Sequence, residues 1–252
     1  MSSFEKKWSS WMSMRFIVTG LCVIAVAAVT AVIWWRWANV GPVQRGADLA
    51  LAQGCLGCHG GPGVSPLLPR PFADLDDVDP VTLREWILDG MPSRVRQDPE
   101  LREALASAAI RMPAWRGRIS DAQVDDLVAY VRASAGADVP EDPVARKGHA
   151  VAGRLGCFRC HGPGGRGAGS NPGSLKGYIP PWDGRDFAEL VADEGELREW
   201  ILDGRPKRLQ ANRLARFFLD RQSIRMPAFR GEVTEEELRA LEAYIGWLRA
   251  PV

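Results

Sequence analysis

The chain has few histidines and almost no net charge. Only three histidines occur in 252 residues, and the formal net charge at pH 7 is +1. So small a charge gives no global electrostatic signature of a nucleic-acid partner. No segment of useful length alternates apolar and polar residues, as a half-buried strand would, so the sequence indicates a helical fold. Two of the three histidines directly follow a pair of cysteines.

Two segments have the form Cys-x-x-Cys-His, and this spacing is the attachment signature of c-type haem. Each thiol can form a thioether to one vinyl group of the porphyrin, and the histidine offers a ring nitrogen to iron. A pair of redox dithiols or a four-thiolate zinc site is the alternative, but neither needs a histidine after the second cysteine. We predict two covalently bound haem c groups, with cysteines Cys55, Cys58, Cys157 and Cys160 and proximal iron ligands His59 and His161.

An uncharged run of twenty residues extends from Phe16 to Trp35. As a helix it would be about 30 Å long, which is the hydrocarbon thickness of a bilayer. A cleaved signal peptide is the alternative, but the small-residue site Ala25-Val26-Ala27 lies in the middle of the run. We therefore predict an uncleaved transmembrane anchor over residues 15–37. Cys22 lies within this span, where we expect it to act as a small apolar side chain.

Basic residues flank the run unequally, which predicts its orientation. Lys6, Lys7 and Arg15 precede it, whereas Arg36 is the nearest basic residue after it. By the positive-inside rule, residues 1–14 are cytoplasmic and the rest of the chain is outside. We predict a location in the bacterial inner membrane with the haem domains on the periplasmic side, where c-type haem is attached.

The second half of the chain repeats the first. The segment Leu83 to Gly90 matches Leu197 to Gly204, and Ile110 to Gly117 matches Ile224 to Gly231, both at an offset of 114. The haem motifs are offset by only 102, so the second copy has extra residues in its glycine-rich stretch. A repeat this long indicates a duplicated domain. The predicted units are domain 1 over 42–136, a linker over 137–143 and domain 2 over 144–250.

Helical periodicity and capping signals recur in both copies. Ser120 with Gln123 and Thr234 with Glu237 have the spacing of a capping box. Glycine follows two further helices, as is common at helix ends. The predicted helices are Val43 to Cys58, Thr82 to Asp89, Ser120 to Ala133, Val144 to Cys160, Glu196 to Asp203 and a last one that begins at Thr234.

The order of helix, haem motif, loop, helix, Met-Pro and last helix resembles class I cytochrome c, in two tandem copies. The resemblance implies an all-α fold after the transmembrane helix and one His/Met-ligated iron in each copy. Met112 and Met226 would be the distal ligands, since they align at an offset of 114 and each precedes a proline. Met91 also precedes a proline and is the alternative ligand for the first haem, but its equivalent in the second copy is Arg205, which cannot supply a thioether.

The resemblance also implies supporting residues. A proline carbonyl in the loop after the haem motif would accept a hydrogen bond from the proximal histidine, with Pro66 and Pro172 as candidates. The haem propionates would need donors from Arg111, Arg225, Trp86 and Trp200, although core packing accounts equally well for the two tryptophans. We expect His149 to be a solvated helix residue, with distal ligation or a proton role as the alternative.

The two copies differ in the charge of their clustered side chains. Aspartates gather in the first copy between residues 74 and 79, whereas the second has a basic cluster that is either a solvated surface or a docking face for an acidic partner. Its members are Arg205, Lys207, Arg208, Arg213, Arg216, Arg221 and Arg225.

Two axial ligands from the protein leave no vacant position on iron, so the chemistry expected is one-electron transfer without a catalytic site. With its anchor, the chain resembles the dihaem subunits of high-affinity haem–copper oxidases and the membrane-bound cytochromes of quinol-oxidising complexes. Expected partners are the membrane, integral subunits of an electron-transfer complex and a soluble redox protein, but no nucleic acid. A dihaem peroxidase or a haem-based sensor is the alternative, although a peroxidase would need a further histidine ligand and only His149 remains.

Overall fold

A computed structural model describes residues 18–30, 40–60, 72, 75 and 79–250 of the chain. Contacts divide the chain into two compact units, Met1–Val40 and Gly41–Val252. In the first unit, residues 18–30 form helix α1, and all of their side chains are exposed. Within the described ranges, no helix is long and apolar enough to cross a membrane. The predicted anchor extends past α1 at both ends, into residues that lie outside those ranges.

The described part of the second unit is helical, as predicted, and has no strand beyond two isolated bridges. Its two halves repeat the same order of helices, except that the second half has one additional short helix, Phe187–Leu190. The first half contains α2 (Pro42–Ala52), α3 (Leu56–His59), α4 (Pro80–Asp89), α5 (Ser93–Gln97), α6 (Pro99–Ser107) and α7 (Asp121–Ala135). The second contains α8 (Pro143–Leu155), α9 (Phe158–His161), α10 (Phe187–Leu190), α11 (Glu194–Asp203), α12 (Lys207–Ala211), α13 (Arg213–Arg221) and α14 (Glu235–Arg249).

In each half the first long helix crosses the last one at a glycine. A Cβ atom at Gly46 of α2 would lie 2.0 Å from the carbonyl oxygen of Asp126 in α7. At Gly148 of α8 it would lie 1.9 Å from the carbonyl oxygen of Ala240 in α14. Only hydrogen at these positions allows the two backbones to touch, so the sequence of each half determines how closely its helices cross.

Both predicted capping boxes are present and begin these last helices. The Ser120 hydroxyl accepts from the Gln123 backbone N–H, and the Gln123 side chain accepts from the Ser120 backbone N–H. Thr234 and Glu237 make the same reciprocal pair before α14. The buried faces that follow include Val124 in α7 and Leu238 in α14, and each packs into the core of its own half.

The helix predicted to run into each haem motif is broken, so this prediction was wrong in detail. Helix α2 ends at Ala52 and helix α8 at Leu155, and a short helix restarts within the motif. In both halves a Schellman turn makes the break, because the N–H of Cys55 returns to the carbonyl of Ala50 and that of Cys157 to Ala152. The turn sets the direction in which the motif leaves the helix.

Hydrogen bonds and ion pairs join the two halves. The backbone N–H of Ala168, in the second half, donates to Oε1 of Gln44 on α2 at 2.5 Å. Asp138 lies in the predicted linker and accepts from Arg132 of α7 at 3.1 Å and from Arg166 of the second half at 3.3 Å. These contacts account for the grouping of both halves into one compact unit.

Candidate haem sites

Each haem motif is a short helix whose first cysteine is half-buried against the core of its half. Cys55 packs against the first core and Cys157 against the second. Burial raises the pKa of both thiols. All five cysteines lie within the described ranges, and no disulfide joins them. In the same ranges, no three His, Cys, Asp or Glu side chains are grouped as a metal site.

The proximal histidines lie in apolar, aromatic surroundings. The His59 ring stacks on Phe72 at a centroid distance of 5.2 Å, and the His161 ring lies 4.9 Å from Trp182. Burial lowers the pKa of His59. Burial likewise lowers the pKa of His161, to about 4, against a smaller opposing effect of the Pro180 carbonyl. Both imidazoles are therefore neutral at pH 7, which is the form that binds a metal.

The acceptor for His161 is Pro180 and not Pro172. Nδ1 of His161 lies 3.3 Å from the carbonyl oxygen of Pro180. The carbonyl of Pro172 instead accepts from the backbone N–H and hydroxyl of Ser223. The longer loop of the second copy moves the acceptor away from the position expected by analogy. Pro66, its predicted counterpart for His59, lies outside the described residues.

Met112 and Met226 occupy equivalent positions. Each is partly buried and packs against the same core as the first cysteine of its motif. The carbonyl oxygen of each lies 2.5 Å from the position that a Cβ would take at a left-handed glycine, Gly90 or Gly204. Met91 is partly buried but does not belong to the described core of its half.

The chain after each methionine is fixed to the end of helix α4 or α11. The N–H of Trp115 donates to Ile87 and that of Arg116 to Leu88, while in the second half the N–H groups of Phe229 and Arg230 donate to Ile201 and Leu202. The Arg116 side chain also makes two hydrogen bonds to Asp89. Arg230 makes the equivalent pair with Asp203. The repeated Leu-Arg-Glu-Trp-Ile-Leu-Asp-Gly segment thus holds the methionine segment, a role that sequence reasoning missed.

The predicted propionate donors differ in what they contact. Trp200 and Trp86 are half-buried, and the only N–H of the Trp200 indole donates to the carbonyl of Leu190 at 2.9 Å. That bond favours a packing role for Trp200. Arg111 and Arg225 are exposed, and Arg225 donates to the carbonyl of Asp220 at 2.7 Å.

His149 is not the solvated helix residue that we expected. Its ring lies 5.2 Å from those of both Phe158 and Tyr244, and burial lowers its pKa. The ring is partly buried and lies among aromatic side chains of the second core. Sequence analysis also missed Trp182, which packs against His161, Phe158 and Tyr244. The Pro180-Pro181-Trp182 segment after the glycine-rich insertion was the available signal.

The residues present fit a covalently attached haem in each half. Each half has two thiols on one helical turn and a neutral imidazole, and its partly buried methionine packs against the same core as the first thiol. In the second half, the Pro180 carbonyl occupies Nδ1 of His161, which leaves Nε2 as the donor to a metal. Thiol, imidazole and thioether are the groups that hold haem c iron.

Comparison with known proteins agrees with this geometry. A family model described as cytochrome C oxidase, cbb3-type, subunit III matches residues 41–131 and again residues 143–245. No curated protein and no solved structure matches the chain. The two matched segments identify two tandem class I cytochrome c domains, and this family consists of electron-transfer proteins with covalently bound haem c. The chain therefore belongs to the cbb3-type cytochrome c oxidase subunit III family.

Proposed function

We propose that this protein is a membrane-anchored dihaem cytochrome that passes single electrons between redox partners as a subunit of a respiratory oxidase complex. The observation that carries the proposal is the repetition of one complete site. Each half has its own Cys-x-x-Cys-His helix after a Schellman turn and its own methionine against a left-handed glycine. A single haem would leave one of these sets without a purpose.

The protein side chains hold the group and tune it. Cys55 and Cys58, and likewise Cys157 and Cys160, attach through thioethers, which prevents loss of the group outside the cytoplasm. His59 and His161 would supply an imidazole nitrogen to the iron, and Met112 and Met226 would supply a thioether sulfur. When bound, the haem supplies an iron that cycles between the ferrous and ferric states. With one imidazole and one thioether from the protein, the iron would have no position left for a small molecule, so the chemistry that it would supply is one-electron transfer.

The proposed anchor rests on sequence and on the exposure of α1. Val18, Leu21, Val23, Ile24, Val26 and Val29 have side chains that are 54–66% exposed. A helix with apolar residues on every face is suited to lipid and not to water. The excess of basic residues before it favours a periplasmic location for both haem domains.

The partners proposed for this chain follow from the name of its family. That name describes a subunit of an oxidase, so integral subunits of such a complex are the proposed acceptors. A soluble redox protein is the proposed donor. No observation favours the peroxidase, because His149 lies among Phe158 and Tyr244 and both halves keep a methionine. The described residues likewise provide no support for an output domain of a sensor.

The experiment is a redox-titrated visible and near-infrared spectrum of the full chain, purified from membranes, with a count of haems per chain. We expect two haems and a sulfur-to-iron charge-transfer band from both ferric sites. Met112→Ala and Met226→Ala should each remove about half of the band, because each removes one thioether ligand. Met91→Ala is the matched control and should leave it intact. One haem per chain, or a band that depends on Met91, would refute the proposed sites.

A further inference from the structure

Helix α13 differs in character from its counterpart α6 in the first half. The two helices have the same length and align at an offset of 114. Helix α6 is polar and carries more acidic than basic residues, whereas α13 carries one acid and several arginines. Three exposed positions account for most of the change, with Leu214 in place of Glu100, Phe217 in place of Glu103 and Arg221 in place of Ser107.

The exposed face of α13 has an apolar centre with basic edges. Leu214 is 65% exposed and Phe217 is 51% exposed. Phe217 lies four residues from both Arg213 and Arg221, so the three side chains share one face of the helix. The Arg221 guanidinium lies 5.1 Å from the centre of the Phe217 ring. The buried face is held by Leu219, so the helix does not turn these residues inward.

The structure separates the arginines of α13 from the rest of the predicted basic cluster. Arg205 pairs with Asp220 at 2.6 Å, Lys207 pairs with Glu199 at 3.3 Å, and Arg208 pairs with Glu196. Those three positive charges are neutralised locally. None of the described residues supplies an acidic partner to Arg213, Arg216 or Arg221. The positive potential of the cluster therefore comes from the three arginines of α13 and from Arg225, which donates to the carbonyl of Asp220.

Helix α13 is also fixed next to the second haem site. It leads through Gln222–Arg225 into Met226, and the Asn171 side chain bonds both the N–H of Ile224, at 2.8 Å, and its carbonyl, at 2.9 Å. The carbonyl of Pro172 holds Ser223 in the same way. A partner seated on α13 would therefore lie beside the proposed distal ligand.

We propose that the face of α13 formed by Arg213, Leu214, Arg216, Phe217 and Arg221 is the docking surface for a redox protein with an acidic rim around an apolar centre. This proposal rests on the proposed electron-transfer function and gives it a point of entry or exit. Opposite charges speed encounter, and a small apolar contact then orients the pair. Anionic lipid would also fit a basic amphipathic helix. A redox protein is favoured over lipid because this face is present on α13, next to Met226, and is absent from α6, its counterpart in the first half.

The test uses the full chain in detergent, with two forms of one probe protein. The first is mitochondrial cytochrome c, which is basic, and the second is the same protein with its lysines succinylated, which makes it acidic. One electron passes from the ferrous probe to a ferric haem of the chain or in reverse, as potentials allow, and stopped-flow spectra give the rate. Titration calorimetry with the oxidised probe measures binding without electron transfer.

We expect the acidic probe to react faster than the basic one at low salt, and the difference to vanish as salt rises. The triple variant R213Q/R216Q/R221Q should lower the rate and the affinity for the acidic probe by about tenfold. L214E/F217E, which restores the residues of α6, should lower both at least as much. Arg216→Gln has a matched control in Arg102→Gln, the equivalent position of α6, which should change neither. Haem content and spectra should be unchanged in every variant.

Four results would overturn the proposal. The first is that the rate and the affinity for the acidic probe are the same in the α13 variants as in the unaltered chain. The second is that Arg102→Gln lowers the rate and the affinity as much as Arg216→Gln does. The third is that the α13 variants lose binding to vesicles of anionic phospholipid while their rate and affinity for the acidic probe do not change. That result would assign the face to the membrane. The fourth is exchange of electrons with small mediators but with neither protein probe, which would overturn the docking proposal alone, whereas a chain that exchanged electrons with no mediator would refute the proposed electron-carrier function itself.

Discussion

At the scale of single residues, the backbone of each methionine segment leaves no space for a side chain at the glycine that faces it. Gly90 has a φ of 69°, and a Cβ there would lie 2.5 Å from the carbonyl oxygen of Met112. Gly117 has a similar φ of 77°, but a Cβ there would meet nothing within 4 Å. Alanine at Gly117 therefore adds only the free-energy cost of a left-handed backbone, whereas alanine at Gly90 adds that cost and the cost of a steric clash.

We predict that Gly117→Ala lowers the free energy of unfolding by about 1 kcal/mol, which is the cost of the left-handed conformation alone. Gly90→Ala should lower it by about 1–3 kcal/mol more, because the methionine segment must move. It should also weaken the sulfur-to-iron band of the first site. Urea unfolding and the ferric near-infrared spectrum measure the two effects. Equal losses in the two variants would show that the contact with Met112 does not matter.

The proposed iron ligands could be named from the sequence only where both copies share them. His59, His161, Met112 and Met226 follow from short motifs and the repeat, and the structure brings each methionine to the core of its motif. Pro172 was predicted wrongly because loop length, not motif, determines which carbonyl reaches His161. His149 was predicted wrongly because its aromatic neighbours Phe158 and Tyr244 come from two other helices.

At the scale of helices, the crossing of the first and last helix in each half depends on glycine. The Cβ of an alanine at position 148 would lie 1.9 Å from the carbonyl oxygen of Ala240, and a backbone atom cannot rotate away. Gly246, in α14, has nothing within 4 Å of its Cβ position. Both glycines are inside helices, so they have the same intrinsic preference and differ only in surroundings.

We predict that Gly246→Ala raises the free energy of unfolding by about 0.5–1 kcal/mol, since alanine loses less conformational freedom on folding. Gly148→Ala should lower it by about 1–3 kcal/mol, because the crossing must open. Urea titration followed by circular dichroism measures both. A stabilised Gly148→Ala variant would contradict the close crossing.

Most helices were predictable from periodicity and caps, whereas two kinds of feature were not. The entering helices break at Schellman turns, and the apolar pattern carries through such a turn without a change of period. The short helices α5, α6, α10, α12 and α13 follow proline, aspartate or asparagine and have few buried residues, so their pattern is weak.

At the scale of the whole second unit, the junction between its halves contains a buried carboxylate in a poor environment. Asp183 has a buried Oδ1 without a hydrogen-bond partner among the described residues. Its Oδ2 lies 3.8 Å from Arg166, which also bonds Asp138. Burial raises the pKa of Asp183 more than Arg166 and Arg249 lower it.

We predict that Asp183→Asn raises the unfolding temperature at pH 7. A carboxyl group whose pKa is raised by folding favours the folded state below its ordinary pKa, and that contribution is lost as pH rises through the raised value. The gain should therefore disappear in acid, below the ordinary pKa of aspartate. Asp138→Asn is the control and should lower the unfolding temperature, since Arg132 and Arg166 lose the negative charge between them and one of the two oxygens that accept from them becomes an NH2 donor. A destabilised Asp183→Asn variant at pH 7 would refute the argument.

The contacts of Asp138 have a further consequence for the history of the chain. A duplicated domain can diverge freely while a flexible tether separates the copies. Here the linker residue accepts from Arg132 of one copy and Arg166 of the other, and Gln44 bonds Ala168 across the same junction. Substitutions on either side must then be matched on the other, so the two copies are expected to evolve as one inherited unit although each keeps its own candidate haem site.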